Sequence, residues 1–170
     1  MEQQTAIGFH DVDQEDYVAT LVTFATWGDA KAQHNLAAFY LEGTEIEQDY
    51  AEALKWHTMA AEQGHVLAQH DLGTMYLDGL GVAVDVDAAF YWFSKAAECG
   101  DAKAQSNLGI LYATGQGVEE DVVEAAKWFR LAAAAGLLDG LENLQVAQEE
   151  MTPEQASEAE KRAADWSPTK

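Results

Sequence analysis

The sequence contains little cysteine and little proline. Cys99 is the only cysteine in 170 residues, so the chain can form no internal disulfide and no thiolate-rich metal site. We expect Cys99 to be a small side chain at a helix end, with a regulatory thiol as the alternative. The two prolines, Pro153 and Pro168, lie near the carboxyl terminus. Because proline interrupts helices, long helices are permitted along most of the chain.

Basic residues are also scarce. Nine Lys and Arg side chains stand against 30 Asp and Glu, which gives a formal net charge of −21. Such a surface repels nucleic acids and anionic membranes, because both are bound through Lys and Arg. The composition therefore argues against nucleic-acid and membrane partners. It leaves open a basic protein partner.

Long apolar runs are absent as well. No stretch has the length of a transmembrane helix, and residues 1–17 have neither the basic nor the apolar region of a signal peptide. A cytoplasmic monomer is the expectation.

What the sequence does contain is a repeat of 36 residues, in three contiguous units at 29–64, 65–100 and 101–136. In each unit one set of apolar residues recurs at spacings of four, and a second set at spacings of three and four. Each spacing places its set on one face of a helix, so each unit is predicted to contain two helices. The first set is Ala32, Leu36 and Tyr40, then Ala68, Leu72 and Tyr76, then Ala104, Leu108 and Tyr112; the second is Ala53, Trp56 and Ala60, then Ala89, Trp92 and Ala96, then Ala125, Trp128 and Ala132.

Aspartate and glycine mark the predicted helix ends in every unit. Aspartates are placed to accept hydrogen bonds from unpaired N–H groups, and glycines supply backbone conformations that a Cβ atom would penalise. Glu52 and Glu124 are predicted to complete capping boxes. The predicted N-caps are Asp49, Asp85 and Asp121 for the second helices and Asp29 and Asp101 for the first; the glycines are Gly43, Gly79, Gly81, Gly115 and Gly117 between the helices and Gly64, Gly100 and Gly136 after them.

A two-helix unit of this period cannot bury its apolar face alone, so the units are predicted to stack into a solenoid. Its ends need protection from water. Residues 1–28 are predicted to be a tail and an N-terminal capping helix over 13–27. Residues 137–170 are predicted to be C-terminal capping helices and a tail, with the last helix starting at Pro153.

The recurrent pattern A-x-x-x-L-G-x-x-Y-x-x-G-x-G-V-x-x-D, followed by A-x-x-W-F-x-x-A-A-x-x-G, resembles the Sel-like repeat (SLR), a relative of the tetratricopeptide repeat. Units two and three carry nearly every position, whereas unit one departs at Ala37, Glu45 and His57. The resemblance implies an all-α, right-handed superhelical solenoid. It also implies a non-enzymatic scaffold for protein or peptide binding.

Candidate catalytic and metal sites are few. His10, Asp11 and Asp13 form the one tight His/Asp cluster in the sequence, but no second histidine stands at metal-ligand spacing. His57 replaces a core phenylalanine and is expected to be a packed neutral imidazole. No nucleophile–base pattern or phosphate loop appears. We therefore expect no enzyme, no cofactor and no bound metal.

The remaining recurrent positions lie on the first helices and are neither core nor cap. They are expected to form the inner, concave face of the solenoid and to bind a protein or peptide segment there. Ordinary solvated helix residues are the alternative reading of the same positions. A second functional alternative is an acidic neutralising protein, an immunity or inhibitor protein that binds a basic partner through its surface charge. The candidate binding residues are Lys31, His34, Asn35, His70, Asp71, Lys103 and Asn107.

Overall fold

The computed structural model describes residues 14–169 of the chain. Within that range the protein is an all-α solenoid of nine helices without a β-strand, which confirms the predicted fold class. The helices are α1 (Gln14–Thr26), α2 (Ala30–Glu42), α3 (Tyr50–Glu62), α4 (Val66–Asp78), α5 (Val86–Glu98), α6 (Ala102–Thr114), α7 (Val122–Ala134), α8 (Leu138–Glu150) and α9 (Pro153–Asp165).

Helices pack in the order in which they occur along the chain. Within the three repeats α2 packs against α3, α4 against α5 and α6 against α7. Between repeats α3 packs against α4 and α5 against α6, so the chain forms one continuous stack. Helix α1 covers α2 at one end, while α8 and α9 both pack against α7 at the other.

The helix ends match the predicted capping pattern. The N-cap side chains Asp29, Asp49, Asp85, Asp101 and Asp121 each accept a backbone N–H from the first turn. The glycines that close the repeats have positive φ angles, 84° at Gly64, 91° at Gly100 and 92° at Gly136. At the start of α9, Thr152 and Gln155 form a reciprocal capping box.

The predicted capping boxes of the second helices are wrong. The N-cap N–H groups of Asp49 and Asp121 donate to the carbonyls of Tyr40 and Tyr112, at 2.9 and 3.0 Å, rather than to a glutamate side chain. These bonds tie each second helix to the first helix of its own repeat. Glu52 instead accepts from Lys55 and from the Trp56 indole, whose Nε1 lies 3.0 Å away.

The core consists of small alanines around a few large side chains. Ala53, Ala89 and Ala125 are completely buried, which lets the paired helices approach closely. The three tryptophans predicted on the face of the second helices are not equally buried, because Trp56 and Trp128 are buried whereas Trp92 is only partly buried. Its neighbour Phe93 is the largest fully buried side chain among the described residues.

A glycine in repeat 2 and one in repeat 3 make room for phenylalanine rings. A Cβ atom on Gly73 would lie 2.8 Å from the ring of Phe93, and one on Gly109 would lie 2.5 Å from the ring of Phe129. Repeat 1 carries Ala37 and His57 at the equivalent positions. Since imidazole is smaller than a phenyl ring, the two departures of repeat 1 from the pattern compensate each other.

Candidate functional site

The first helices of the repeats, together with α8, carry a line of polar side chains that we call the cross-repeat ladder. Each rung joins two residues that lie 37 positions apart. The His34 Nε2 atom lies 2.9 Å from Asp71 Oδ2, and the Asn107 Nδ2 atom lies 3.4 Å from His70 Nε2. In the third rung Asn143 Nδ2 donates to Ser106 Oγ at 3.4 Å. The ladder therefore connects α2, α4, α6 and α8.

Asp71 is the residue on which the ladder converges. Its carboxylate accepts hydrogen bonds from His34 and from His70, whose Nδ1 atom lies 3.0 Å from Oδ1. Burial alone would raise the pKa of Asp71, but the two imidazole donors outweigh it and hold that pKa well below its usual value. With Nδ1 of His70 donating to Asp71, Nε2 is left to accept from Asn107.

Two further imidazole rings contact His34. The ring of His65 stacks on it with centroids 4.7 Å apart, and the ring of His57 meets it edge-on at 5.4 Å. His65 also caps α4, since its Nδ1 accepts the N–H of Ala68 at 3.3 Å. His57 is completely buried, and burial lowers its pKa to about 4, as expected for a packed neutral imidazole.

The structure gives different roles to the residues predicted to bind a partner. His34, Asn35, His70, Asp71 and Asn107 are half-buried and already make hydrogen bonds to one another. The two lysines, Lys31 and Lys103, are exposed. The His10, Asp11 and Asp13 cluster lies outside the described residues.

Lys103 lies in a cleft between α6 and the start of α8, which we call the polar cleft. It has a volume of about 190 Å³ and contains both partners of the second rung of the ladder. Its lining residues are His70, Lys103, Ser106, Asn107, Leu137 and Asp139.

A second cleft, the apolar cleft, lies between the carboxyl-terminal halves of α6 and α8. It has a volume of about 170 Å³ and carries carboxylates at Glu120 and Glu150. Ile110 and Val146 on its walls are 40% and 63% exposed. Its lining residues are Ile110, Ala113, Thr114, Glu120, Val122, Phe129, Asn143, Val146, Ala147 and Glu150.

Sequence reasoning did not identify the apolar cleft, because its walls come from a repeat and from a diverged capping helix. The 36-residue pattern points to Ile110 and Thr114 on the first-helix face, but it assigns nothing to Val146 or Glu150. No sequence signal singles them out, because Leu138 and Leu141 of α8 are exposed apolar side chains as well as Val146.

None of the helices in residues 14–169 is long and apolar enough to cross a membrane.

Comparison with known proteins identifies a family model and similar solved structures. The family model "Sel1 repeat" matches residues 30–65, 66–101 and 102–137. The structure of c5321, a protective antigen of uropathogenic Escherichia coli strains with an SLR fold, is 37% identical with a TM-score of 0.82. A Sel1 repeat protein from Oxalobacter formigenes is 41% identical with a TM-score of 0.70.

These relatives differ in length from the chain. The match to c5321 covers 89% of this chain but 32% of the antigen, so the chain spans about a third of that relative. The match to the Oxalobacter formigenes protein covers 76% of this chain and 97% of that one. Cysteine rich protein B of Helicobacter pylori shares the fold at 23% identity and a TM-score of 0.60, over 79% of this chain and 98% of that one. No curated protein matches the chain.

Proposed function

The chain belongs to the Sel1 repeat family, whose members are generally protein-interaction scaffolds, and on that premise we propose that it binds a peptide segment of a partner protein across its two clefts. The fold is typically non-enzymatic, and its members generally bind proteins. We also propose which face binds, what chemistry the bound segment has and which residues hold it.

The apolar cleft is the observation that carries this proposal. Exposed Ile110 and Val146 flank a pocket that also reaches the Phe129 ring, and concave apolar sites with a few polar groups are where ligands bind. Two exposed carboxylates, Glu120 and Glu150, line the same pocket, and neither is in an ion pair within residues 14–169. The cleft therefore matches a segment with an apolar anchor side chain next to a Lys or Arg.

The polar cleft extends this surface toward repeat 2. Lys103 supplies a positive charge, and Asn107 supplies an amide that can pair with a peptide backbone. Ser106 lies in this cleft and Asn143 in the apolar one, so the third rung of the ladder bridges the two. An extended segment that lies across this rung would place a carbonyl or carboxylate near Lys103 and its apolar anchor near Val146.

Peptide selection tests the proposal directly. The immobilised protein is exposed to a displayed library of random peptides, and we expect enrichment of sequences that combine a large apolar residue with an adjacent Lys or Arg. The Val146→Asp variant should lose these peptides, because a carboxylate would enter the apolar cleft.

Val84→Asp is the matched control, since Val84 is 62% exposed, like Val146, and lies outside both clefts. It should retain the selected peptides. Selection of peptides that Val146→Asp binds as well as the unmodified protein does would refute the apolar cleft as the binding site.

The acidic neutralising function remains the second candidate, because the net charge of −21 favours basic partners whatever cleft they use. Under that function binding would follow total charge rather than position. The two candidates therefore differ in how binding responds to salt and to charge reversals at matched positions.

A further inference from the structure

His57 is a buried polar side chain without a polar partner. It is completely buried, and neither ring nitrogen makes a hydrogen bond in the part of the chain that the structure describes. Burying polar atoms without partners costs free energy. Repeats 2 and 3 fill the equivalent positions with Phe93 and Phe129, which carry no such cost. Packing alone thus does not account for a histidine at this place.

Two metal-binding side chains lie beside His57. Each of three residues, His34, His57 and Asp71, offers one potential ligand atom. These three atoms lie within 4.8 Å of one another. Around a tetrahedral Zn²⁺ with bonds of about 2.0–2.1 Å, ligand atoms lie about 3.3 Å apart. The His34 Nε2 and Asp71 Oδ2 atoms are already 2.9 Å apart. Any ligand pair that is wider, up to the 4.8 Å limit, would have to close to the tetrahedral spacing of about 3.3 Å.

The surroundings of the three residues have the features of a supported metal site. A ligating carboxylate is commonly held by a further hydrogen bond, and His70 donates one to the Oδ1 atom of Asp71. The three ligands come from α2, α3 and α4, so a bound ion would join repeats 1 and 2.

We propose that His34, His57 and Asp71 bind one divalent transition-metal ion, with Zn²⁺ as the best match to two imidazoles and one carboxylate. Two nitrogen ligands argue against Mg²⁺ and Ca²⁺, which prefer oxygen. Three protein ligands leave the fourth tetrahedral position open to water or to a side chain of a partner. This proposal is independent of the peptide-binding function.

Isothermal titration with Zn²⁺, in a buffer with excess Mg²⁺ to occupy surface carboxylates, tests the site. The unmodified protein should bind one equivalent of Zn²⁺ at this site and should melt at a higher temperature when it is bound. The Ala37→Gly/His57→Phe variant restores the pair found in repeats 2 and 3, so it should fold while binding Zn²⁺ at least about tenfold more weakly.

Asp71→Asn is the second variant, because it keeps the shape of the side chain and removes the charged ligand. It too should weaken Zn²⁺ binding at least about tenfold, with helicity checked by circular dichroism. The control is His65→Asn, which removes a neighbouring histidine but keeps an N-cap for α4. The His10, Asp11 and Asp13 cluster is present in every variant, so differences between them report on the proposed site.

The two sets of outcomes are distinct. The site would be supported if Ala37→Gly/His57→Phe and Asp71→Asn no longer bound one equivalent of Zn²⁺ tightly while His65→Asn still did. The proposal would be overturned if either ligand variant bound Zn²⁺ as tightly as the unmodified protein does. An equal loss in His65→Asn would also overturn it.

Discussion

The ring of Phe93 occupies the space that a side chain on Gly73 would need, because a Cβ atom there would lie 2.8 Å from the ring. Gly109 and Phe129 repeat this relationship one unit further along the chain. Repeat 1 has Ala37 and His57 instead. The residue at the glycine position and the residue at the phenylalanine position must therefore change together.

The first prediction follows from this pairing. His57→Phe alone should destabilise the fold by about 1–3 kcal/mol, because the larger ring would collide with the Cβ atom of Ala37. Adding Ala37→Gly should recover that loss. Urea unfolding of the two variants measures the difference, and equal stabilities of the single and the double variant would contradict the pairing.

The second prediction concerns pH in the absence of metal. His57 has a folded pKa of about 4 against an ordinary value of 6.5, so below pH 6.5 the unfolded chain binds a proton that the folded chain does not. The free energy of unfolding should therefore decrease as the pH is lowered from 6.5 to 4. At pH 5 it should be about 2 kcal/mol smaller than at pH 8. The measurement is the free energy of unfolding, obtained from urea titrations of chelator-treated protein at pH 5 and at pH 8.

The Ala37→Gly/His57→Phe variant is the control for this pH dependence, since it lacks the imidazole but keeps the other titrating groups. Its loss of stability between pH 8 and pH 5 should be smaller by about the same 2 kcal/mol. Parallel pH profiles of the variant and the unmodified protein would show that His57 does not titrate as described.

The third prediction separates two adjacent aromatic residues of α5. Phe93→Ala should lower the free energy of unfolding by about 3–5 kcal/mol, because Phe93 is completely buried. Trp92→Ala should cost less, since Trp92 is only partly buried. Thermal unfolding compares them, and a larger cost for Trp92 would mean that the tryptophan is the main core residue of repeat 2.

The fourth prediction distinguishes cleft binding from binding by total charge. A peptide held by an apolar anchor and one or two ion pairs should lose no more than about tenfold in affinity from 50 to 300 mM salt, because exposed pairs contribute about 0.2–1 kcal/mol each. Association driven by the whole surface charge should weaken far more steeply. A steep loss would favour the acidic neutralising function.

The fifth prediction concerns Lys103, the exposed lysine of the polar cleft. Lys103→Glu should weaken peptide binding with little change in melting temperature, because Lys103 lines the cleft and its side chain is exposed. Lys127 is unsuitable for comparison, since it lies 4.3 Å above the Trp128 ring and pairs with Glu124. Lys161→Glu on α9 is the matched single charge reversal, and an equal loss of affinity in it would show that Lys103 does not contact the peptide.

Most of the fold could be predicted from the sequence because each repeat encodes its own local structure. Apolar spacing placed the helices, and Asp49 and its equivalents marked where the second helices begin. The predicted capping boxes do not form, because the N-cap N–H groups donate instead to the backbone carbonyls of Tyr40 and Tyr112. That competition depends on how the two helices pack, which the local sequence does not specify.

The candidate site was less predictable. Recurrence placed His34, Asp71 and Asn107 on the same helix face, but not in contact, because contacts between repeats depend on the angle at which one repeat stacks on the next. His57 lies beside His34 because α2 and α3 pack against each other within repeat 1, so no linear motif marks that cluster. Clefts likewise arise only when the capping helix α8 is in place.

The most direct test of the peptide-binding function is a pair of matched charge reversals. Glu120→Lys/Glu150→Lys changes both carboxylates of the apolar cleft, whereas Glu119→Lys/Glu149→Lys changes their exposed neighbours outside it. Each variant shifts the net charge by four, from −21 to −17. Binding of a selected peptide is measured by fluorescence anisotropy.

We expect Glu120→Lys/Glu150→Lys to weaken peptide binding by about tenfold, the loss of two exposed ion pairs, and the neighbouring pair of reversals to leave it nearly unchanged. Equal losses of affinity in the two variants would show that total charge, rather than the cleft, holds the partner, and would contradict the account.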